Sequence, residues 1–556
     1  MDLQIPSLRK PDGNSFNSSP AVVRQWVADL PLVNTGRTAD LLHAALSEMN
    51  GLRVPAYDRF DDLEQLAEPV NYVIDALKKK FLGRRFPLDD RALEQANLAT
   101  TLCMKMATGY KIVASELDRQ RKGGSPLEQA IQNAIRYLGE ALLGSYLIYV
   151  PYPAGIWRSL HSLYAFAVRH GLADVTADGT LSPVDGQQTI GDSYKQCLLL
   201  SLACPYRMRQ SEIRSVNALM ADWSKHCQLH ATAEVSASGY FACHLDSDEP
   251  PGYLREDQRD ALDSSWIIID TRGLEEPVRA TIDRRRESTA RLSTLPDETV
   301  LQRLMLSWGM MPKRRFPRRG GESLVRLLVG LAAIHRALGG LAGTRSAGNA
   351  TAASQTVKDG DYLRDPTFEQ TTSFDTRLPD RHSEESPFRG AYSPGARVDN
   401  RSLRIESWKM HDMSAGGYCL LWDSADASSA QVGELVAITE GDEDSNWLLG
   451  VIRWMRFTPS EGLALGVQML PTGARPVWAS LCKDQAGMED RMHGILLPGL
   501  PATGQPATLL LPALPFHSGC LSTLSEADSK KTIRLTGQVE DTGSFAQFHF
   551  AEDSAG

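Results

Sequence analysis

The chain has 556 residues, 42% hydrophobic and 23% charged, an ordinary globular composition that a length prior divides into roughly three or four domains. Its 59 Lys and Arg against 68 Asp and Glu leave a formal charge of −9, which argues against a general polyanion binder and makes any phosphate or nucleic-acid site local. Eight scattered cysteines with no Cys-x-x-Cys pair argue against a disulfide scaffold and fit a reducing compartment.

The polar opening, residues 1–19, reads as a disordered N-terminus without a secretory leader. From 20 to 225 the apolar spacing is helical: Leu63, Leu66, Val70, Val73, Ile74, Leu77 and Phe81 recur at three and four and need a partner helix. Ser125 as N-cap, Pro126 and Glu128 start another helix, ahead of Ile131, Ile135, Leu138 and Leu142. The apolar run 141–157 carries Pro151 and Pro153 and falls short of the roughly 20 residues a spanning helix needs. No fixed repeat emerges, so an irregular all-helical domain is expected, of the kind that binds or spaces partners.

Residues 226–295 change texture: QLHATAEV and GYFACHLD nearly alternate and SWIIIDT is a β-branched run, so a small β-containing module is expected. Helices carrying an arginine motif occupy 296–340, including an apolar helix from Leu324 to Leu338. Only ten of the sixty residues 341–400 are Ile, Leu, Val, Met, Phe, Trp, Tyr or Cys, the composition of a disordered insertion. Between 401 and 480, strand-like runs broken by turn-prone stretches predict a small antiparallel barrel, and 481–556 is a β-rich C-terminal extension. The fold class is thus α+β.

Two elements can carry chemistry. Lys313, Arg314, Arg315, Arg318 and Arg319 place five positive charges in seven residues. A guanidinium fork can donate to phosphate oxygens or to guanine O6 and N7, and its flat face can stack on a base; a solvated basic turn is the plain alternative. The second element, Asp412, Met413, Ser414, Ala415, Gly416 and Gly417, lies between two strands. Alone it is a turn, yet a fixed carboxylate can accept guanine N–H groups, a serine can bond phosphate, and glycines admit a ligand close to the backbone.

Arg-Arg-x-x-Arg followed downstream by Asp-x-Ser-x-x-Gly at the start of a small β-barrel resembles the PilZ family, bacterial receptors for cyclic di-GMP. Arg314, Arg315 and Arg318 match the arginine motif; Asp412, Ser414 and Gly417 match the barrel motif; and the later strands, with Trp454 and Gly466, look like those of PilZ barrels. The resemblance implies a six-stranded barrel and a ligand site of Arg314, Arg315, Arg318, Arg319, Asp412, Ser414, Gly416 and Gly417, in which the arginines clamp the phosphates and Asp412 and Ser414 hold a guanine. It implies a receptor without catalysis, cofactor or metal, regulating surface motility or attachment, with type IV pili among the family's outputs. The helical domain would meet a protein partner of that machinery, in a cytoplasmic protein recruited to a membrane-associated or polar assembly, with no nucleic acid as partner.

One departure is the 93 residues, 319 to 411, between Arg318 and Asp412. Loop-closure cost rises only logarithmically with length, so such an insertion is tolerable. It admits a rival pair, Arg397 and Arg401 with Arg404 beyond; the denser 314–319 cluster is the preferred assignment. A helical adaptor with a degenerate barrel and a single-stranded nucleic-acid binder stay open as other readings.

Other signals are weaker. Glu140-Ala141-Leu142 spells a phosphodiesterase signature without an accompanying carboxylate set, and Gly343 to Gly348 has phosphate-loop spacing without its Lys. His226, Cys227, His230, Cys243 and His244 match no closed zinc spacing. His335 is expected as a helix-surface or core histidine, and Trp447 and Trp454 as barrel core.

Overall fold

The computed structural model describes residues 3–13, 15–176, 188–231, 240–254, 262–287, 295–309, 319–321, 323–345, 403–414, 416–440, 447–481, 491–499, 504–526 and 529–553. The helical part comprises α1 (Pro20–Ala28), α2 (Thr35–Met49), α3 (Ala56–Phe81), α4 (Asp90–Arg119), α5 (Ser125–Leu147), α6 (Ile156–Arg169), α7 (Ile190–Leu202) and α8 (Gln210–Trp223). The seven apolar residues that the spacing placed on one face of α3 are all buried. Gly109 lets α3 and α4 pack closely, since a Cβ there would lie 2.8 Å from Leu63 Cδ2. In α5 the N-cap is Gly124 and not Ser125, whose hydroxyl instead accepts from Gln129 Nε2 at 2.9 Å. No helix among the described residues is long and apolar enough to cross a membrane.

The buried polar groups of this domain make one outcome measurable. Asp62 is fully buried, and neither carboxylate oxygen has a hydrogen-bond partner among the described residues. Burial, helped by Asp58 and opposed by Arg59, pushes its pKa up to about 7. The folded state therefore holds a proton that the unfolded state loses near its ordinary pKa of about 4, so stability falls as pH rises from about 4 to about 7. Asp62→Asn removes that dependence: its melting temperature should exceed the parent's at pH 8 by several degrees more than at pH 5. An offset that does not change with pH would contradict this.

A four-stranded antiparallel sheet follows, order β1-β4-β2-β3, from β1 (Gln228–Ala231), β2 (Phe241–His244), β3 (Gly252–Tyr253) and β4 (Trp266–Asp270). Then come α9 (Glu275–Glu287) and α10 (Glu298–Gly309). Arg285 is paired with Asp297 and Arg286 with Glu298, while Thr271 Oγ1 donates to Trp308 O at 2.7 Å. The end of α10, where the chain enters the arginine segment, is thereby anchored.

The chain then supplies β5 (Arg319–Gly320), β6 (Leu324–Val329), α11 (Leu331–Arg345), β7 (Glu406–Ser414), β8 (Gly417–Trp422), β9 (Leu435–Glu440), β10 (Leu448–Thr458) and β11 (Gly462–Met469). Pairing runs β7-β6-β9-β10-β11-β8 and returns from β8 to β7, which closes a six-stranded barrel, with β5 as a short addition on β7. The expected helix from Leu324 to Leu338 is corrected: 324–329 is a strand that buries Val325, Leu327 and Leu328, and Gly330, at φ +96°, turns the chain into α11. The short run LVRLLV is too brief for apolar periodicity to separate strand from helix. The barrel thus takes one stave from before the insertion, and the expectation that 401–480 holds the whole barrel is corrected accordingly.

A second closed barrel, order β12-β13-β14-β17-β16-β15, is built from β12 (Arg475–Leu481), β13 (Met492–Leu497), β14 (Thr508–Pro512), β15 (Leu521–Glu526), β16 (Ser529–Asp541) and β17 (Phe545–Glu552). Because β12 pairs with both β13 and β15, this barrel begins inside the range first assigned to the other one. Between the barrels lies an apolar seam of Leu328, Ile334, Leu435, Ala437, Trp447 and Val451 against Ile495, Leu497 and Leu510. Buried His335 belongs to that seam, with ring centroids 4.6 Å from Trp478 and 4.8 Å from His493; burial and then His493 pull its pKa down to about 4.

Candidate functional site

Strand register brings the two motif regions together. Gly320 lies opposite Asp412 and Arg319 opposite Met413, and Gly321 N donates to His411 O at 3.2 Å. The last residue of the arginine cluster and the Asp-x-Ser-x-x-Gly element are therefore adjacent in space despite the residues between them. Arg314, Arg315 and Arg318, like the rival pair Arg397 and Arg401, lie outside the described residues.

Across the barrel, Asp412 is paired with Cys419, Cys419 with Gly466, and Gly466 with Trp454. With Gly320 on the other side of Asp412, one transverse row crosses five strands: Gly320, Asp412, Cys419, Gly466, Trp454. Side chains directly opposite one another share a sheet face. The neighbouring residues Tyr418, Leu465 and Val467 are buried inside the barrel, and successive side chains alternate between faces, so this row lies on its outer face. Arg319, opposite Met413, is one step out of that row.

The small residues of the row have a steric purpose. A Cβ on Gly466 would lie 1.9 Å from Trp454 Nε1, so the indole lies across Gly466, towards Asp412. Trp454 is partly exposed. The expectation that Trp447 and Trp454 are both barrel core holds for Trp447 only as burial, 8% exposed and packed in the inter-barrel seam instead of the barrel interior, and fails for Trp454. The physical reason is a bulge: register shifts between Ile452 and Trp454, so the simple alternation used to point Trp454 inward skips a residue. Asp412 and Trp454 are three strand spacings apart, about 14 Å at ~4.8 Å each, with only Cys419 and Gly466 between them. Cys419 is only 6% exposed, so the row forms a covered shelf with a carboxylate at one end and an aromatic plane at the other.

The turn of the motif is fixed from below. Ser414 Oγ accepts from Gly416 N at 3.3 Å and faces Gly417 O at 3.4 Å, while Met469 N donates to Gly416 O at 3.1 Å. A Cβ on Gly417 would lie 2.0 Å from Val467 O, so only glycine fits where β8 passes β11. Gly417 is opposite Gln468, whose Oε1 accepts from Arg453 Nε at 2.7 Å. At the far end of β7, buried Glu406 accepts from Trp408 Nε1 at 3.2 Å, Ser428 Oγ at 2.6 Å and Ser429 N at 2.9 Å, fixing the strand that carries Asp412.

The weaker sequence signals have structural roles. Glu140 is ion-paired with Lys78. Cys227 and Cys243 are buried thiols pushed up by burial to about 12 and about 11, Cys243 with the Tyr194 hydroxyl at 3.5 Å, and His244 meets Trp266 edge-on at 5.1 Å.

Three family models match in chain order: the N-terminal domain of the cyclic-di-GMP receptor FimW over residues 21–234, its middle PilZ domain over 240–476, and the FimW C-terminal beta-barrel domain over 477–552. The middle match takes in most of the small β module as well as the first barrel. A curated relative, the cyclic-di-GMP receptor FimW of Pseudomonas aeruginosa, is 28% identical over 572 residues, covering 99% of this chain and 93% of the relative. No solved structure matches the chain. A six-stranded barrel that joins the end of an arginine cluster to Asp-x-Ser-x-x-Gly, together with these matches, identifies the chain as a member of the PilZ-domain family.

Proposed function

We propose that the chain is a cyclic di-GMP receptor whose site is the outer shelf between Asp412 and Trp454, closed by the arginine segment. The observation that carries this reading is the register of Gly320 opposite Asp412, which sets the end of one motif against the other. In the proposed bound state Asp412 accepts guanine N–H groups, Ser414 and the backbone at Gly416 and Gly417 meet ligand oxygens, Trp454 offers its face to a purine, and Arg314, Arg315 and Arg318 donate to phosphates and bases, while the register turns Arg319 to the other face. Extending β5 by one residue in that state would set Arg318 opposite Ser414, on the face that carries Asp412. Ordering of the segment then converts ligand contacts into a conformational signal, limited in size by the difference in affinity between the two states.

The family is that of a receptor, and we assign no reaction to the chain. Its outputs are proposed to be surface motility or attachment, type IV pili among them, through a protein partner on the helical domain in the cytoplasm. The test is calorimetric titration of cyclic di-GMP into the full chain and into Asp412→Ala, with GTP as comparison. Saturable binding of the cyclic dinucleotide alone, weakened at least tenfold or so by the loss of one charge-assisted pair, is the expected result. No binding to the folded parent chain would favour the adaptor with a degenerate barrel.

A further inference from the structure

Three parts of the molecule meet in a junction lined by Arg209, Glu212, Arg303, Val432, Arg453 and Glu540. Glu540, on β16 of the second barrel, binds Arg453 of the first through both carboxylate oxygens, the Nη2–Oε2 contact being 2.9 Å. The pair is largely buried, 18% and 16% exposed at Arg453 and Glu540. Burial alone would raise the Glu540 pKa, but the Arg453 charge and hydrogen bonds, with Arg303 beyond, bring it below its ordinary value.

Each cation leads to a different half of the proposed site. Arg453 precedes Trp454 and donates to Gln468, the residue opposite Gly417 of the barrel motif. Arg303 is on α10, the helix that runs into the arginine segment; it donates to Arg207 O at 3.2 Å and lies 3.6 Å from Glu212 of the helical domain. The same helix touches β16 where Asp541 N lies 3.4 Å from Thr299 Oγ1. Next to this, Arg209 of the helical domain donates to Val432 O at 2.9 Å and to Ser544, whose hydroxyl donates to Glu434.

We propose that Glu540 is the positioning residue through which the second barrel braces the Trp454 and Gln468 side of the ligand site and receives the binding signal. The inference rests on the receptor reading above. Loading the shelf fixes Trp454 and Gln468, and that displacement reaches Glu540 through Arg453, while α10 meets the same strand at Asp541. By reciprocity, a barrel that senses the ligand must also contribute to its affinity.

The test measures hydrogen exchange across the full chain with and without saturating cyclic di-GMP, alongside titration, for the parent, Glu540→Gln and Gln468→Leu. In the parent, ligand is expected to change protection in α10 and in the β16–β17 hairpin. In both variants the ligand still binds, about tenfold more weakly, the size of one coupling in a charged network, and the hairpin response is lost. Glu540→Asp, which keeps the charge, should restore part of that response. A parent that binds ligand with an unresponsive hairpin, or variants with an unaltered response, would overturn the proposal while leaving the receptor reading intact. A parent that binds nothing removes both. If Glu540→Gln does not fold, Gln468→Leu decides, because it cuts the link on the ligand side without stranding a buried charge.

Discussion

Replacing Arg314 and Arg318 together with alanine is expected to weaken cyclic di-GMP binding by two orders of magnitude or more, while leaving the thermal melt unchanged within about a degree. Each guanidinium donates charge-assisted hydrogen bonds worth ~1.5–3 kcal/mol, so losing two costs roughly 3–6 kcal/mol of binding, on the order of 100- to 10,000-fold. The flanking elements have anchors of their own among the described residues: α10 is fixed by Thr271 and Arg303, and β5 is paired to β7. Calorimetry at fixed salt measures the effect, since phosphate contacts weaken as salt rises. Binding that survives this change and fails in Arg397→Ala with Arg401→Ala would move the clamp to the far side of the insertion.

Gly417→Ala is expected to have the largest effect on the barrel itself. Its Cβ would meet Val467 O at 2.0 Å, then Val467 C at 3.1 Å, both backbone atoms that no rotamer change can move. Relief requires β8 to part from β11 at the Gly417–Gln468 pair, which also frees the turn held by Ser414 and the Met469 N to Gly416 O bond. Forcing atoms into packed structure costs ~1–3 kcal/mol or more, and a backbone obstacle places this case at the upper end. At about 2–4 °C per kcal/mol for a unit of this size, the melt should fall by roughly 10 °C, with ligand binding lost. A variant that melts with the parent and binds normally would contradict the packing described for this turn.

How much of this was legible in the sequence depended on what each signal needed. Helices were readable because their faces are set by local spacing: the predicted stripe from Leu63 to Phe81 is the buried face of α3. The strands after residue 401 alternated clearly and formed five staves of the first barrel. The sixth, 324–329, was read as helix because six apolar-rich residues carry no decisive period and their partners, β7 and β9, lie beyond the insertion. Asp412, Ser414 and Gly417 were legible as a motif only beside the arginine cluster, since turn chemistry and ligand chemistry use the same residue types. Trp454 was not, because its outward direction is set by a bulge against β11; the available clue was Gly466, a glycine opposite a tryptophan in an otherwise regular hairpin. Glu540 lay beyond any local reading, as its partner Arg453 comes from another part of the chain and meets it only after the two barrels have packed.

The central claim is that both motifs form one cyclic di-GMP site across the residues that separate them. The most direct test is photo-crosslinking of the full chain with a diazirine-bearing cyclic di-GMP, followed by peptide mapping with and without excess unlabelled ligand. The account predicts competed labels in two peptides, one containing Arg314 to Arg319 and one containing Asp412 to Gly417 or Trp454. Competed labelling confined to one of those regions, or found on the helical domain or the second barrel instead, would contradict it.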